Sequence, residues 1–280
     1  YFSRYDIYGK ELNAFAKLIA KFSHRWENIS NNIMLGMEFK TDGNLGKGIV
    51  YDLDTPPLRS NSVDNSSYRP RKFSDIPFIN QFSAYAEYTY LHNLGSKREF
   101  KVVAGVRYDQ YNNKGAVTPR VNVSLELIPK RFYLRGGYGI NAKAPTALYL
   151  YPQQAYFDFV NFNNLGSVNI PENEQLMLST TRVFDAKNND LKIAKNTKAE
   201  IGFNAHFNKG KIKLFVTAYH EKLNNGYSLG TDSKSFNLVP YKTYKIASNT
   251  PGGIPALELA GEYNVWAKVA RPGNNLHSVN

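Results

Sequence analysis

Gln81-Phe82-Ser83-Ala84-Tyr85-Ala86-Glu87-Tyr88-Thr89-Tyr90 and Phe100-Lys101-Val102-Val103-Ala104-Gly105-Val106-Arg107-Tyr108-Asp109, joined through a compact turn at Asn93-Leu94-Gly95-Ser96, decide the fold. In the first run Phe82, Ala84, Ala86, Tyr88 and Tyr90 take every second place, against Gln81, Ser83, Tyr85, Glu87 and Thr89. In the second, Phe100, Val102, Ala104, Val106 and Tyr108 alternate with Lys101, Gly105, Arg107 and Asp109. A period of 2 is that of a strand whose two faces meet different surroundings. The short Gly-containing connection makes the pair a hairpin.

Working outward, the same rhythm recurs. Upstream, Ile33, Leu35, Met37 and Phe39 alternate with Met34, Gly36, Glu38 and Lys40, behind a turn at Glu27-Asn28. Before that turn Leu12, Ala14, Ala16, Leu18, Ala20, Phe22 and Trp26 oppose Glu11, Asn13, Lys17, Lys21, Ser23 and Arg25. His24 breaks the first face; Phe15 and Ile19 break the second. This Ala- and Leu-rich segment also suits a helix, with Lys17, Lys21 and Arg25 as an i, i+4 stripe. The strand is preferred because every later segment repeats period 2. Downstream, Val121 to Leu127, Phe132 to Tyr138, Ala199 to Phe207 and Ile212 to Ala218 alternate in the same way, with turns at Pro129-Lys130 and Asn208-Lys209-Gly210. The strands run to about 9–15 residues, where a soluble strand averages about 5–6 and a tilted membrane strand needs about 9–11. Eight strands are read with assurance of pattern, and Val265 to Val269 is a candidate start for a ninth.

The connections sort by side. Those after Trp26, His92, Ile128 and Phe207 are short; those near 42–79, 112–117, 141–196 and from 223 onward are long or variable. Alternating short and long connections are the mark of an outer-membrane barrel, with short periplasmic turns and long extracellular loops. Long loops are therefore expected near 42–79, 141–196 and 223–264. The first holds Pro56-Pro57 and a Ser/Asn-rich stretch; the second holds Ala144-Pro145-Thr146 and an aromatic cluster from Tyr149 to Phe162.

Composition agrees. Aromatics make up 14% of 280 residues, with Tyr 20 and Phe 17 against Trp 2, a bias toward strands and membrane-interface belts. Mean hydropathy is −0.46, which an alternating barrel strand tolerates because half its residues face water. No run of apolar residues is long enough for a transmembrane helix. The absence of Cys removes disulfides, thiolate metal sites and Cys nucleophiles. The net charge of +12 is spread along the chain. Its densest groups, Arg69-Pro70-Arg71-Lys72 and Lys209-Gly210-Lys211-Ile212-Lys213, fall in a loop and at a turn, so no nucleic-acid partner is expected. His24, His92, His206, His220 and His277 are scattered without ligand spacing; no metal, cofactor or catalytic set is expected, and the chain is not read as an enzyme.

In hydrocarbon a sheet must leave no unpaired backbone, so it closes on itself with one face to lipid and one to the interior. Lys, Arg, Glu and Asp on the second face are easier to place in a wide barrel than in a narrow one. The chain opens Tyr1-Phe2-Ser3-Arg4 and closes Ser278-Val279-Asn280, without a signal region or a terminal aromatic. The expectation is an all-β, antiparallel transmembrane portion of 8–9 strands from a larger barrel, spanning residues 1–280.

Several segments resemble the barrel of TonB-dependent outer-membrane receptors of the Bacteroidetes type. They are Asn32 to Phe39 with Asp42-Gly43-Asn44-Leu45-Gly46-Lys47-Gly48, then Gly105-Val106-Arg107-Tyr108-Asp109 and Thr118-Pro119-Arg120-Val121-Asn122. Arg135-Gly136-Gly137-Tyr138-Gly139, Lys143-Ala144-Pro145-Thr146 and Lys198 to Phe203 follow in order. The resemblance implies a plugged barrel of about 22 strands in the cell outer membrane. It also implies uptake of a scarce ligand, with energy from the TonB complex acting through a plug. Partners would be outer-membrane lipid, the TonB complex and a substrate-binding surface lipoprotein.

Candidate substrate contacts are Lys143, where a strand meets a long loop, and the loop aromatics Tyr149, Tyr151, Tyr156 and Phe157. Self-packing of the folded loop is the commoner role for such rings. Arg107, Asp109, Arg120 and Arg135 are expected to face the lumen near the outer strand ends, where they could touch a plug or pair with one another. Two other readings stay open: a passive porin or adhesin-type barrel, and a soluble carbohydrate-binding β protein. Specificity among siderophore, cobalamin, glycan or peptide resides in loops, not in the scaffold.

Overall fold

The computed structural model describes residues 5–51, 69–95, 98–208, 211–250 and 252–280. In chain order their strands are β1 (Tyr5–Tyr8), β2 (Glu11–Trp26), β3 (Ile29–Asn44), β4 (Gly48–Tyr51), β5 (Ile79–Leu94), β6 (Arg98–Tyr111), β7 (Lys114–Ile128) and β8 (Phe132–Lys143). A one-turn helix α1 (Ala147–Leu150) follows, then β9 (Ala155–Asn163), β10 (Met177–Phe184), β11 (Ala194–Phe207), β12 (Ile212–Gly230), β13 (Phe236–Ser248), β14 (Ala256–Lys268) and β15 (Arg271–Val279). Among the described residues no helix is long and apolar enough to cross a membrane.

Nine strands form one antiparallel sheet in the order β15-β12-β11-β8-β7-β6-β5-β3-β2. All eight strands expected from the alternation lie in it. The register explains why they stay there. Leu18 stands opposite Met37, Met37 opposite Ala84, Ala84 opposite Tyr108 and Tyr108 opposite Val117. One residue over, Lys17 stands opposite Glu38, Glu38 opposite Ser83 and Ser83 opposite Asp109. Directly paired residues share a face, so one face is apolar from strand to strand and the other polar. A slip by one residue would exchange the two faces and is resisted along the whole ladder.

Tight turns close one end of the sheet. Glu27 at φ 46°, Lys130 at φ 60° and Asn208 at φ 50° take the left-handed conformation such turns need. The other end carries the long connections, with one exception. The segment 112–117 is not a long or variable loop: β6 and β7 meet through Asn112 and Asn113 alone, with Asn112 at φ 47°. Asn112 is also held to the neighbouring strand, its backbone N–H donating to the Asn80 carbonyl over 2.9 Å.

The ninth strand is not where the alternation placed it. Val265 to Lys268 belongs to β14, which pairs with β13 in a separate hairpin. The ninth strand of the sheet is β15, paired to the far half of β12 through register shifts between Leu223 and Ser228. Asn225 at φ 58° marks the irregularity. Such bulges bend a strand and break its alternation, and β15 (Arg-Pro-Gly-Asn-Asn-Leu-His-Ser-Val) has no period to read.

The connections after β8 and after β12 fold as hairpins beyond the end of the sheet. β9 pairs with β10, and β13 with β14. Ala155, Phe157, Ala186, Val239, Ala267 and Val269 make a buried core between them. Phe159 stacks on Tyr241 and Tyr241 on Tyr263, at 5.3 and 5.5 Å between ring centres. β1 pairs with β4 at the same end.

Candidate functional site

A cavity of about 1120 Å³ lies beyond the loop ends of β3 and β5. Its walls come from four segments: residues 45–51, 70–77, 151–156 and 185–187. The first two are joined closely. Asn44 turns the chain out of β3 by accepting from the Lys10 and Gly46 backbone N–H groups, both at 2.9 Å. Gly48 has φ +77°, and a Cβ there would fall 1.8 Å from the Arg71 carbonyl oxygen. Only glycine allows this approach, and it lets the Ile49 N–H donate to that oxygen over 3.0 Å.

Arg71 ties the second segment to the third, donating from Nη2 to the Tyr151 carbonyl over 2.6 Å. Burial pushes the Arg71 guanidinium below its usual value, since charge is costly away from water. Arg69, beside it in sequence, forms a buried ion pair with Asp158 on β9, with side chains 10% and 1% exposed. Thr181 Oγ1 donates to the same carboxylate over 2.6 Å, and Arg69 lies over the Tyr156 ring. The fourth segment is clamped by β15. Arg271 donates from Nη2 to the Lys187 carbonyl over 2.6 Å, and Asn274 exchanges hydrogen bonds with the Lys192 backbone. Two polar side chains of β15, Arg271 and Asn274, are thus spent on loop anchoring.

The lining is basic and aromatic. Lys47, Arg71, Lys72 and Lys187 contribute four positive charges against Asp75 and Asp185. Tyr51, Tyr151 and Tyr156 contribute rings, and Lys187 Nζ sits over Tyr151, at 5.8 Å from its centre.

Deeper along the polar face runs a second constellation. Arg107 Nε meets Asp109 at 2.9 Å, and its Nη2 meets Glu38 at 2.8 Å and Ser83 Oγ at 2.9 Å. Glu38 also meets Lys17 at 2.7 Å. Lys17 and Arg107 both lie over the Tyr85 ring, at 5.7 and 5.6 Å. That ring occupies the space above Gly36, where a Cβ would fall 2.1 Å from Tyr85 Cζ. Arg120 pairs with Glu87, and Arg135 reaches Glu200 at 3.9 Å and the Thr217 hydroxyl.

The residues singled out in the sequence separate into groups. Tyr151 and Tyr156 line the cavity. Phe157 does not: it is 3% exposed and edge-on to Phe184 in the hairpin core, so it packs protein instead of ligand. Tyr149 stacks against Tyr227 at 5.3 Å. Lys143 ends β8, and its carbonyl accepts from the Tyr227 hydroxyl over 2.9 Å. Arg120 lies mid-strand on the polar face, opposite Gly105, whereas Arg107 and Asp109 lie toward the loop end. Arg135 does not; it is opposite Ser124, four positions past the Arg120–Gly139 pair toward the tight turns. Lys47, Arg71, Lys72 and Lys187 were not among the candidates. The Arg69-Pro70-Arg71-Lys72 cluster was their only visible signal, and it reads as ordinary loop charge until the segments meet.

The family model described as TonB dependent receptor-like, beta-barrel matches residues 1–254. Among solved structures, the siderophore receptor PirA from Acinetobacter baumannii aligns with a TM-score of 0.54 at 16% identity, over 97% of this chain and 33% of that one. The siderophore receptor PirA from Pseudomonas aeruginosa aligns at 0.48 and 12% identity, over 94% of this chain and 45% of that one. At such identities the first likeness speaks for fold alone, and the chain spans about a third of that receptor's length. No curated protein matches the sequence.

Proposed function

The chain belongs to the TonB-dependent receptor-like β-barrel family, and on that premise we propose that it builds part of an outer-membrane receptor that imports a scarce ligand with energy from the TonB complex. The observation that carries the reading is the pairing of a two-faced sheet with a cavity beyond its loop end. The apolar face meets outer-membrane lipid. The polar face, with Arg107, Asp109, Arg120 and Arg135, meets the lumen of a barrel of about 22 strands and its plug. Connections near 42–79, 141–196 and 223–264 stand outside the cell, where their hairpins gather the ligand over the lumen. Tyr151 and Tyr156 contact it directly, while Lys143 and Tyr149 brace the rim. A siderophore is one candidate, since the Acinetobacter baumannii neighbour is a siderophore receptor by name. The motifs of the Bacteroidetes style also leave room for a substrate-binding surface lipoprotein as partner.

The test is a comparison of ligand uptake in cells with and without TonB, the receptor being found in the outer-membrane fraction. Uptake through this receptor stops when TonB is removed. Uptake that continues would mark a passive porin and overturn the proposal; recovery of the full-length protein from the soluble fraction would overturn the membrane reading altogether.

A further inference from the structure

We propose that Lys195 and Lys222, at the loop end of the apolar face, hold the phosphate groups of a membrane lipid headgroup. This rests on the outer-membrane reading of that face and names its lipid partner more closely.

The register sets these two lysines apart. Lys17, Lys21, Lys40, Lys101, Lys198 and Lys213 stand on the polar face, opposite Glu38, Met34, Gln81, Ser124, Gly139 and His206. Lys195 stands opposite Ala142 and Asn224, and Lys222 opposite Thr197 and Val279. Further along β11 on the same face, Ala199 stands opposite Tyr138, and Tyr138 opposite Val121, so this is the apolar face. Both lysines are exposed. They are diagonal neighbours across the β11–β12 pair, since Asn224, opposite Lys195, lies two places beyond Lys222. Diagonal positions are about 7–8 Å apart, within reach of long side chains. One phosphate can therefore meet both ammonium groups. The residues directly opposite the two lysines bring no carboxylate into either cross-strand pair.

Depth decides what the lysines meet. β12 leaves the tight turn at Ile212, and from there to Lys222 it rises about 34 Å at roughly 3.4 Å per residue. A tilt of roughly 40° turns that into about 26 Å along the membrane normal, close to the apolar band of a barrel, about 25 Å tall. Lys222 thus stands at the rim of the band and Lys195 just beyond it, at the level of the headgroups. Lysine on the lipid face is costly at mid-band and cheap at the rim. Its ammonium reaches the headgroup layer while its stem stays on apolar surface. Toward the tight turn the same face continues as Ala218, Val216 and Leu214, beside Ile201, which is 68% exposed. That surface offers a wall to acyl chains and nothing to a free phosphate. The anion is therefore one carried on an acylated headgroup, with its chains along β11 and β12.

The test uses the full-length receptor purified in detergent, titrated with lipid and read by native mass spectrometry. The probes are lipid A, a diphosphorylated and acylated disaccharide, and the same lipid stripped of its phosphates. The titration is run at pH 8, where His220 and His277, also exposed on these strands, are uncharged. Lipid A binds saturably and at least tenfold more tightly than the stripped lipid. The double variant Lys195→Gln/Lys222→Gln weakens lipid A about tenfold and leaves the stripped lipid unchanged. Lys195→Arg/Lys222→Arg, which keeps the charge, stays within threefold, and Lys101→Gln on the polar face changes nothing. Inorganic phosphate at millimolar concentration does not displace the lipid. Equal binding of the two lipids would overturn the proposal, as would indifference to the double neutralisation. Displacement by inorganic phosphate would do the same, since it marks a site for a soluble anion. Lipid binding in detergent needs no TonB. Lost phosphate preference in a receptor that still imports through TonB would sink the lipid site alone. TonB-independent uptake with lipid A binding intact would sink the transport reading alone.

Discussion

Gly36→Ala adds one methyl group to the polar face of β3, and the structure says where it goes. The new Cβ would fall 2.1 Å from Tyr85 Cζ, 2.4 Å from its hydroxyl and 2.6 Å from Cε1. Carbon atoms rest at about 3.5–4.0 Å, so the ring must retreat by roughly 1.5 Å. Retreat takes it out from beneath Lys17 and Arg107. Those two cation–π contacts are worth about 0.5–1 kcal/mol each at an exposed site. Against this, replacing glycine inside a strand gains about 0.5–1 kcal/mol through lower chain entropy. The net cost in the native background is about 1 kcal/mol or less, too small to interpret alone. A double-mutant cycle resolves it. With Tyr85→Ala already present there is no ring to displace, and Gly36→Ala becomes stabilising by about 0.5–1 kcal/mol. The coupling between the two sites is then about 1–2 kcal/mol. The measurement is reversible denaturant unfolding of the four proteins in lipid vesicles, followed by Trp fluorescence. Additive effects, with Gly36→Ala equally costly in both backgrounds, would refute the idea that Gly36 exists to seat Tyr85.

Leu18 and Ile19 are neighbours midway along β2 on opposite faces, so the same substitution separates lipid from lumen. Leu18→Lys costs about 2–4 kcal/mol of membrane folding free energy, while Ile19→Lys stays within about 0.5 kcal/mol; equal costs in vesicle unfolding would contradict the face assignment. Arg69→Met leaves the Asp158 carboxylate buried without its cation and loosens the β9–β10 hairpin by about 3–5 kcal/mol. Limited proteolysis should then nick residues 155–184 while the sheet stays folded, and Arg69→Met/Asp158→Leu should restore resistance; a hairpin as resistant as the native one would show that the pair holds nothing. Tyr227→Phe removes a hydroxyl that accepts from the Ala194 N–H and donates to the Lys143 carbonyl, both at 2.9 Å. The Ala194 amide should exchange about fivefold faster, a loss of about 1 kcal/mol, and an unchanged rate would show the bridge to be idle.

The barrel sheet was legible because each of its strands carries the face information locally. Phe82 to Tyr90 needs no neighbour to declare a period of 2, and Glu27 or Lys130 at a tight turn declares the reversal. The hairpins beyond it were not legible. β13 has Pro240 and a register shift after Thr243, and β14 has one at Gly261, so their alternation is interrupted where the pattern would be sought. β15 is invisible for a different reason: Asn274 and Arg271 answer to the backbone at 185–192, not to a lipid or lumen face. The cavity was half legible. Tyr151 and Tyr156 stood in one loop and drew notice, but a cationic wall assembled from residues 47, 71, 72 and 187 has no signature along the chain.

The Arg69–Asp158 pair joins residues 89 positions apart, whereas β6, β7 and β8 each pair with the strand before them. Contacts close in sequence form early, and those that need a long segment closed form late. Four strands, β5 to β8, must find their places before the two side chains can meet, and Asp158 must also have reached the same side of the sheet as Arg69. The pair is therefore a marker that β5 to β8 are in place. A trapped intermediate would show strand protection without it, and the resistance of the β9–β10 hairpin to protease would date the moment at which the loop-end hairpins first exist.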